Sequence, residues 1–368
     1  MRCLIWPTLS RRQRVAAWLV SVLILLLLTG CGGGGLQDSH VAQPPAPPAP
    51  PNNAPPPPVN ISISSPADGS SVESPSPFVF AVQNAPATYA YMRLFADGHS
   101  VFRTPQQALK NVLVYLTPGA HVMELVAYDS NSAILATSQI NVTVSGPANP
   151  PSVAEIQNLP GWTWCTALLG GNPCASGLGD AVSTKIDAVP DPSLSGSSSQ
   201  FTVSGTTGYS NALWWYSIGG GIPLNHLTYE ADFYVDDASL PEALEFDVNQ
   251  SYGGLRYTWG TECSYKNTGK WDVWDPEHLK WQKTNVPCPQ VASKQWHHLR
   301  WEFERVNGQV HYVSVTVDST TTPVDIYFNP QQNWTRGEDI NVAFQMDGDS
   351  RQDPFNVWLD NVTLRATY

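Results

Sequence analysis

Three stretches of the chain alternate between apolar and polar positions with a period of two. In the first, Leu227, Tyr229, Ala231, Phe233 and Val235 alternate with Thr228, Glu230, Asp232 and Tyr234. In the second, His297, Leu299, Trp301 and Phe303 alternate with Trp296, His298, Arg300 and Glu302. In the third, Ile340, Val342, Phe344 and Met346 alternate with Asn341, Ala343, Gln345 and Asp347. Successive side chains of a strand point to opposite faces, so each stretch predicts a β-strand with one face in a core. Upstream, shorter strand-like runs occupy 59–64, 78–82, 91–95, 112–116, 121–129, 134–137 and 139–144. Turn sequences such as Ala67-Asp68-Gly69, Ala96-Asp97-Gly98 and Pro118-Gly119 separate them. Short strands at this density predict an antiparallel sandwich, and the longer alternating region beyond predicts a larger sandwich of jelly-roll type. No long segment carries the period of an amphipathic helix, so the expected fold class is all-β.

Composition then divides the chain. Apart from Trp6 and Trp18, every tryptophan lies at Trp162 or beyond, and the step follows the turn-rich Gly146-Pro147-Ala148-Asn149-Pro150-Pro151. The expected organisation is a first sandwich over residues 59–146, a linker over 147–154 and the larger sandwich over 155–368. Ten prolines lie between Gln43 and Val59. Proline fixes φ and removes an amide donor, so residues 31–58 read as a Gly/Pro-rich tether with a semi-rigid polyproline II portion. An SH3-type ligand is the other use of such a run, out of place in a secreted protein. At the start, Arg11, Arg12 and Arg14 precede an apolar run over 15–28. That run is too short to cross a hydrocarbon core of ~30 Å, and residues 1–30 read as a signal peptide.

Charge narrows the partners. The net charge is −12, and loss of residues 1–30 removes four arginines and no acid, which lowers it by four to −16. Nucleic-acid binding needs clustered Lys and Arg and is not expected. Charged residues make up only 14% of a chain rich in aromatics, which excludes a coiled coil and an acidic disordered segment. Beyond Cys3 and Cys31 the cysteines are Cys165, Cys174, Cys263 and Cys288, which allow three pairings. Sequence neighbours suggest Cys165–Cys174 and Cys263–Cys288 in an oxidising compartment. A zinc site is the alternative, but no His stands at ligand spacing. There is no Gly-x-Ser-x-Gly elbow and no Gly-rich phosphate loop.

Several motifs carry resemblances. Leu28-Thr29-Gly30-Cys31 resembles the lipobox of bacterial lipoproteins. This implies cleavage before Cys31, lipidation of Cys31 and a place in the bacterial cell envelope, facing periplasm or exterior, with membrane contact through the lipid anchor only. The run Leu116-Thr-Pro-Gly-Ala-His121, with Leu125-Val-Ala-Tyr-Asp129 and Ile140-Asn-Val-Thr-Val144, resembles bacterial Ig-like and PKD-type domains. Trp296-His-His-Leu-Arg-Trp-Glu-Phe303 and Phe355-Asn-Val-Trp-Leu-Asp-Asn-Val-Thr-Leu364 resemble the closing half of concanavalin A-like lectin/glucanase sandwiches. Leu244-Glu-Phe-Asp-Val-Asn-Gln250, with Trp271-Asp-Val-Trp274, also resembles a family of secreted bacterial proteins. Together they imply an N-terminal Ig-like sandwich and a larger C-terminal jelly-roll (concanavalin A-like) sandwich.

Candidate chemistry follows from one strand. Glu245, Asp247 and Asn249 share a face, and residues two apart on a strand are ~6.6–6.8 Å apart, within the carboxylate range of glycoside hydrolysis. The resemblance to laminarinase-type hydrolases implies Glu245 as nucleophile and Asp247 as its assistant. At the third position stands Asn249 or Gln250, neither of which donates and retakes a proton, so an acid would have to come from Glu302, Asp347 or Asp275 on another strand. Binding without cleavage is the main expectation, because sugar rings stack on flat aromatics while amides and carboxylates take their hydroxyls. The aromatic candidates are Trp214, Trp215, Tyr257, Trp259, Trp271, Trp274, Trp281 and Trp301, with Gln345 as a polar contact. Trp301 shares parity with Leu299 and Phe303 and reads as core. Trp271 and Trp274, in a Gly/Asp/Lys-rich stretch between Cys263 and Cys288, read as the leading platforms, with Trp259 and Tyr257 beside them. No cofactor is expected beyond a structural calcium at Asp347 or Asp360. The expectation is therefore an envelope lipoprotein that presents a carbohydrate-binding sandwich on a proline stalk. The alternatives are a glycan-cleaving enzyme using Glu245 and Asp247 and an adhesion or structural protein of the envelope. Substitution Cys31→Ser is expected to abolish incorporation of radiolabelled palmitate in a bacterial host and to release the protein from the membrane fraction.

Overall fold

The computed structural model describes residues 57–145, 152–166, 181–220, 222–335 and 337–367. Twenty-three strands run through them, and among the described residues the one helical element is a single 3-10 turn, Ile156–Asn158. The first eight strands are β1 (Asn60–Ser65), β2 (Ser70–Val72), β3 (Ser76–Gln83), β4 (Tyr89–Ala96), β5 (His99–Thr104), β6 (Ala108–Tyr115), β7 (Gly119–Asp129) and β8 (Ile134–Val144). Next come β9 (Thr163–Thr166), β10 (Val182–Val189), β11 (Ser198–Ser204), β12 (Asn211–Gly220), β13 (His226–Val235), β14 (Pro241–Tyr252), β15 (Leu255–Trp259) and β16 (Thr261–Ser264). The last are β17 (Lys270–Asp275), β18 (Lys280–Pro287), β19 (Trp296–Val306), β20 (Gln309–Val317), β21 (Thr320–Phe328), β22 (Asp339–Gly348) and β23 (Phe355–Thr367). The protein is all-β, as the alternating patterns predict.

Two sandwiches result. In the first, β1, β3 and β6 pack against the five-stranded sheet β2-β8-β7-β4-β5 around Phe78, Phe80, Met92, Leu94 and Leu125. Asp97-Gly98 closes the β4–β5 hairpin with φ of 51° and 82°, the left-handed pair that a two-residue type I′ turn demands. In the second, the sheet β12-β22-β14-β16-β17-β18 faces the seven-stranded sheet β10-β11-β23-β13-β19-β20-β21. Its core is aromatic: Trp214, Phe246, Phe344, Trp301 and Phe303 interdigitate, with Trp271 edge-on to Trp301 at 5.1 Å between ring centroids. Cys263 and Cys288 are bonded across a Cα–Cα distance of 5.6 Å and tie β16 to the segment after β18. The other expected pairing involves Cys174, outside the described residues. The signal sequence, Cys31 and nearly all of the proline tether also lie outside the described residues.

The two sandwiches share a sheet. β6 of the first pairs in parallel with β12 of the second, Val114 opposite Gly219 and Tyr115 opposite Gly220. β1, β3 and β6 thereby continue into β12-β22-β14-β16-β17-β18, and with β9 paired to β12 and β15 to β14 they make one eleven-stranded sheet. Strand parity divides the two residues: Val114 belongs to the first core, and Tyr115 is buried in the second. Glycine is required opposite them, because a Cβ on Gly219 would stand 2.8 Å from Val114 Cγ2 and 3.1 Å from the Val101 carbonyl. Gly219→Val is expected to overpack this joint at about 1–3 kcal/mol, lowering the melting temperature by several degrees in calorimetry. A variant that melts like the wild type would show that the joint can open without cost.

Candidate functional site

The outward face of the eleven-stranded sheet carries the polar side chains. On β14 the inward residues Leu244, Phe246 and Val248 are in the core, which puts Glu245, Asp247 and Asn249 on the other face. Register sets their neighbours: Glu245 lies between Gln345 on β22 and Glu262 on β16, Asp247 lies beside Ala343, and Asn249 lies beside Asn341. This face has an acidic end and an amide end.

At the acidic end Glu245 is only 7% exposed. Gln345 Nε2 donates to Glu245 Oε1 at 2.5 Å and to Asp347 Oδ1 at 2.9 Å, bridging the two acids. Burial, with Asp347, Asp247 and Glu262 nearby, raises the Glu245 carboxyl well above the usual carboxylate range. Burial likewise lifts Glu262 to about 8, reinforced by the neighbouring acids. Asp347 rises to about 6, held there against burial by hydrogen bonds from Asn211, Glu245 and Gln345. Burial raises Asp247 to about 7, partly opposed by the Thr261 amide, which donates to Oδ1 at 2.9 Å, and by the charge of Arg256.

The amide end opens into a cleft of about 520 Å³. Asn249 Nδ2 donates to Asn341 Oδ1 at 3.0 Å, and Asn341 Nδ2 donates to Asp339 Oδ2 at 3.0 Å. Trp215 stands on this face because its neighbour Trp214 takes the core. Arg256, on β15, donates to Ser251 Oγ at 3.1 Å, lies 3.8 Å from Asp339 and stacks over the Trp334 ring at 4.4 Å. The opposite wall comes from the first sandwich: Phe102, Arg103 and Thr104 of β5, with Pro105 and Gln106 after it. The cleft thus exists only because β6 and β12 share a sheet. Its lining joins two half-buried indoles to amides, carboxylates and guanidinium groups, which suits a ligand with both apolar faces and hydroxyls.

The residues expected from sequence scatter across this map. Glu245, Gln345 and Asp347 form one network, but of the catalytic candidates only Asp247 lines the cleft. Trp271 is 2% exposed, Trp259 fully buried and Tyr257 nearly so, which places all three in the core rather than against a ligand. The stretch around Trp271 reads as a loop from its composition, yet it forms β17, where Trp271 pairs with Cys263 and turns inward. Trp274 does turn outward, packed against Trp281 at 5.3 Å, two strands beyond β14. Trp215 is among the sequence candidates. Trp334, Arg256, Asn341 and Arg103 are not; parity would point Arg256 outward beside Tyr257, whereas Trp334 lies in an irregular segment with no such signal.

The calcium candidates are held by hydrogen-bond donors. Asp360 accepts from Ser193 Oγ at 2.7 Å, Leu194 N at 2.6 Å and Ser195 N at 3.0 Å on one oxygen, and from Ser195 Oγ at 2.7 Å on the other. Asp347 accepts from Gln345 Nε2 at 2.9 Å. Among the described residues no group of three or more His, Cys, Asp or Glu side chains is placed to hold a metal ion, and no helix is long and apolar enough to cross a membrane.

No family model matches the chain, and no curated protein matches its sequence. Among solved structures, a study of carbohydrate-binding modules of the β-sandwich superfamily supplies one that is 13% identical, covering 84% of this chain and 98% of its own, at a TM-score of 0.30. An endo-β-1,4-glucuronan lyase from Trichoderma reesei is 11% identical, covering 56% and 95%, at 0.34. An alginate lyase from Aplysia kurodai is 8% identical, covering 46% and 83%, at 0.33. At such scores the function has to be read from this chain's own residues.

The acidic network makes a pH prediction. Acids whose folded pKa is raised keep protons that the unfolded chain has lost, so folding stability falls as pH rises from the ordinary carboxylate range through about 8. Glu245→Gln preserves the shape and a donor toward Asp347, and is expected to make the melting temperature fall less between pH 5 and pH 8. An unchanged slope in thermal melts would show that Glu245 is not a source of it.

Proposed function

We propose that the protein is an envelope lipoprotein that binds a carbohydrate in the cleft between its two sandwiches. One observation carries this reading: Trp215 and Trp334 line the same cleft as Asn249, Asn341, Asp339 and Arg256. A pyranose ring offers apolar C–H faces to an indole and hydroxyls to amides and charged groups. Arg256 acts at both levels, since it stacks on Trp334 and carries donors to the cleft mouth. The lipobox at Cys31 and the proline run favour a tethered protein whose cleft stands off the membrane.

Cleavage has less support than binding. Hydrolysis needs two carboxyl groups flanking one glycosidic bond, and of Glu245 and Asp247 only Asp247 lines the cleft, while Glu245 is joined to Asp347 through Gln345 outside that lining. Glycan-array binding followed by calorimetry tests the reading. Trp215→Ala and Trp334→Ala are each expected to weaken affinity for the bound glycan about tenfold or more, ~1.4 kcal/mol, with the fold retained. Reducing-sugar release that Glu245→Gln abolishes would replace binding by hydrolysis, and a wild-type protein that binds no glycan would favour an adhesive or structural role.

A further inference from the structure

The cleft does not end at Trp334. Beyond it lies a second pocket of about 180 Å³, and Trp334, Gly337 and Glu338 line both. Cross-strand register extends the opposite wall in step: Arg103 of β5 faces the first pocket, and its partner Arg93 on β4 faces the second. By liquid share, at ~30 Å³ per water, the second pocket has room for about six waters, the scale of one ring-sized polyol rather than a chain.

Three of its lining groups are buried and make no hydrogen bond: Arg93 Nε, Ser100 Oγ and Glu338 Oε2. Buried polar atoms are nearly always paired, because leaving one bare forfeits its hydration for nothing. Here three converge on one small pocket beside the Trp334 and Tyr252 rings. The other Glu338 oxygen accepts from the Gly253 amide at 3.2 Å, which holds the side chain in place while Oε2 stays available.

We propose that this second pocket is a subsite for one neutral pyranose residue of a saccharide that runs on from the first. The chemistry selects neutrality: Glu338 opposes an anion, Arg93 opposes a cation, and a donor, an acceptor and a hydroxyl around an aromatic ring match vicinal sugar hydroxyls. Across the two pockets together, the guanidinium groups of Arg93, Arg103 and Arg256 are matched in number by the carboxyl groups of Asp247, Glu338 and Asp339. The Ig-like sandwich is then half of the recognition surface, through Arg93, Ser100 and Arg103. This inference rests on the saccharide reading of the first pocket and deepens it.

The test is calorimetric titration of the full chain with neutral gluco- and manno-oligosaccharides of increasing length, from a disaccharide upward. Affinity is expected to rise with length until the second pocket is filled. Ser100→Ala, whose side chain lines only the second pocket, should lower affinity for the longer oligosaccharides about five- to thirtyfold and leave the disaccharide unchanged; Glu338→Gln, which borders both pockets, should lower affinity for the longer oligosaccharides more than for the disaccharide, whereas Trp215→Ala should weaken every length. In the free protein Ser100→Ala should melt at or above the wild-type temperature, since it removes an unpaired hydroxyl; a clear loss of stability would show that the hydroxyl serves the fold and would overturn the subsite. Binding that Trp215→Ala weakens while Ser100→Ala and Glu338→Gln leave all lengths untouched would also overturn the subsite and leave the first pocket standing. Absence of binding at every length would overturn both.

Discussion

Two residues of parallel sheet decide the geometry of everything around them. Where Val114 and Tyr115 of β6 pair with Gly219 and Gly220 of β12, two sandwiches with separate cores become one hydrogen-bonded sheet. A flexible linker alone would leave two such bodies free to reorient. Backbone hydrogen bonds, a glycine that admits Val114 against bare backbone, and a tyrosine seated in the neighbouring core hold them instead. The cleft inherits this definition, since its two walls belong to different sandwiches.

The outward face of that sheet divides into regions with different physics. At β14 and β16 the acids are crowded and buried, which raises their carboxyl groups above the usual carboxylate range. Along β14 toward Asn249 the acids give way to amides and, from β15, to the Arg256 guanidinium, and the surface opens into the cleft. Gln345 ties the acids of the first region together by donating to both Glu245 and Asp347.

Much of this was legible in the alternation of residues. Period two places Glu245, Asp247 and Asn249 together on one face and puts Trp301 in the core, and the structure has them so. Trp271 shows where composition misleads: Gly, Asp and Lys around it resemble a loop, but pairing with Cys263 turns it inward. The bond between Cys263 and Cys288 matches the pairing of sequence neighbours. What could not be read is anything that depends on which strands pair across the two sandwiches. Trp334 and Arg103 meet in one cleft only because β6 finds β12, a contact between residues about a hundred apart with no local signature.

The placement of Tyr115 bears on modularity. A linker of prolines and glycines between two sandwiches invites the view of interchangeable beads, to be cut at residues 147–154 and studied singly. Severed there, the second sandwich would lose a buried aromatic side chain from its core and leave Gly219 and Gly220 as bare strand edge. The first would expose the tyrosine that it lends. The seam in the sequence and the seam in the protein lie at different places, and the pair of sandwiches is the smallest piece that is whole.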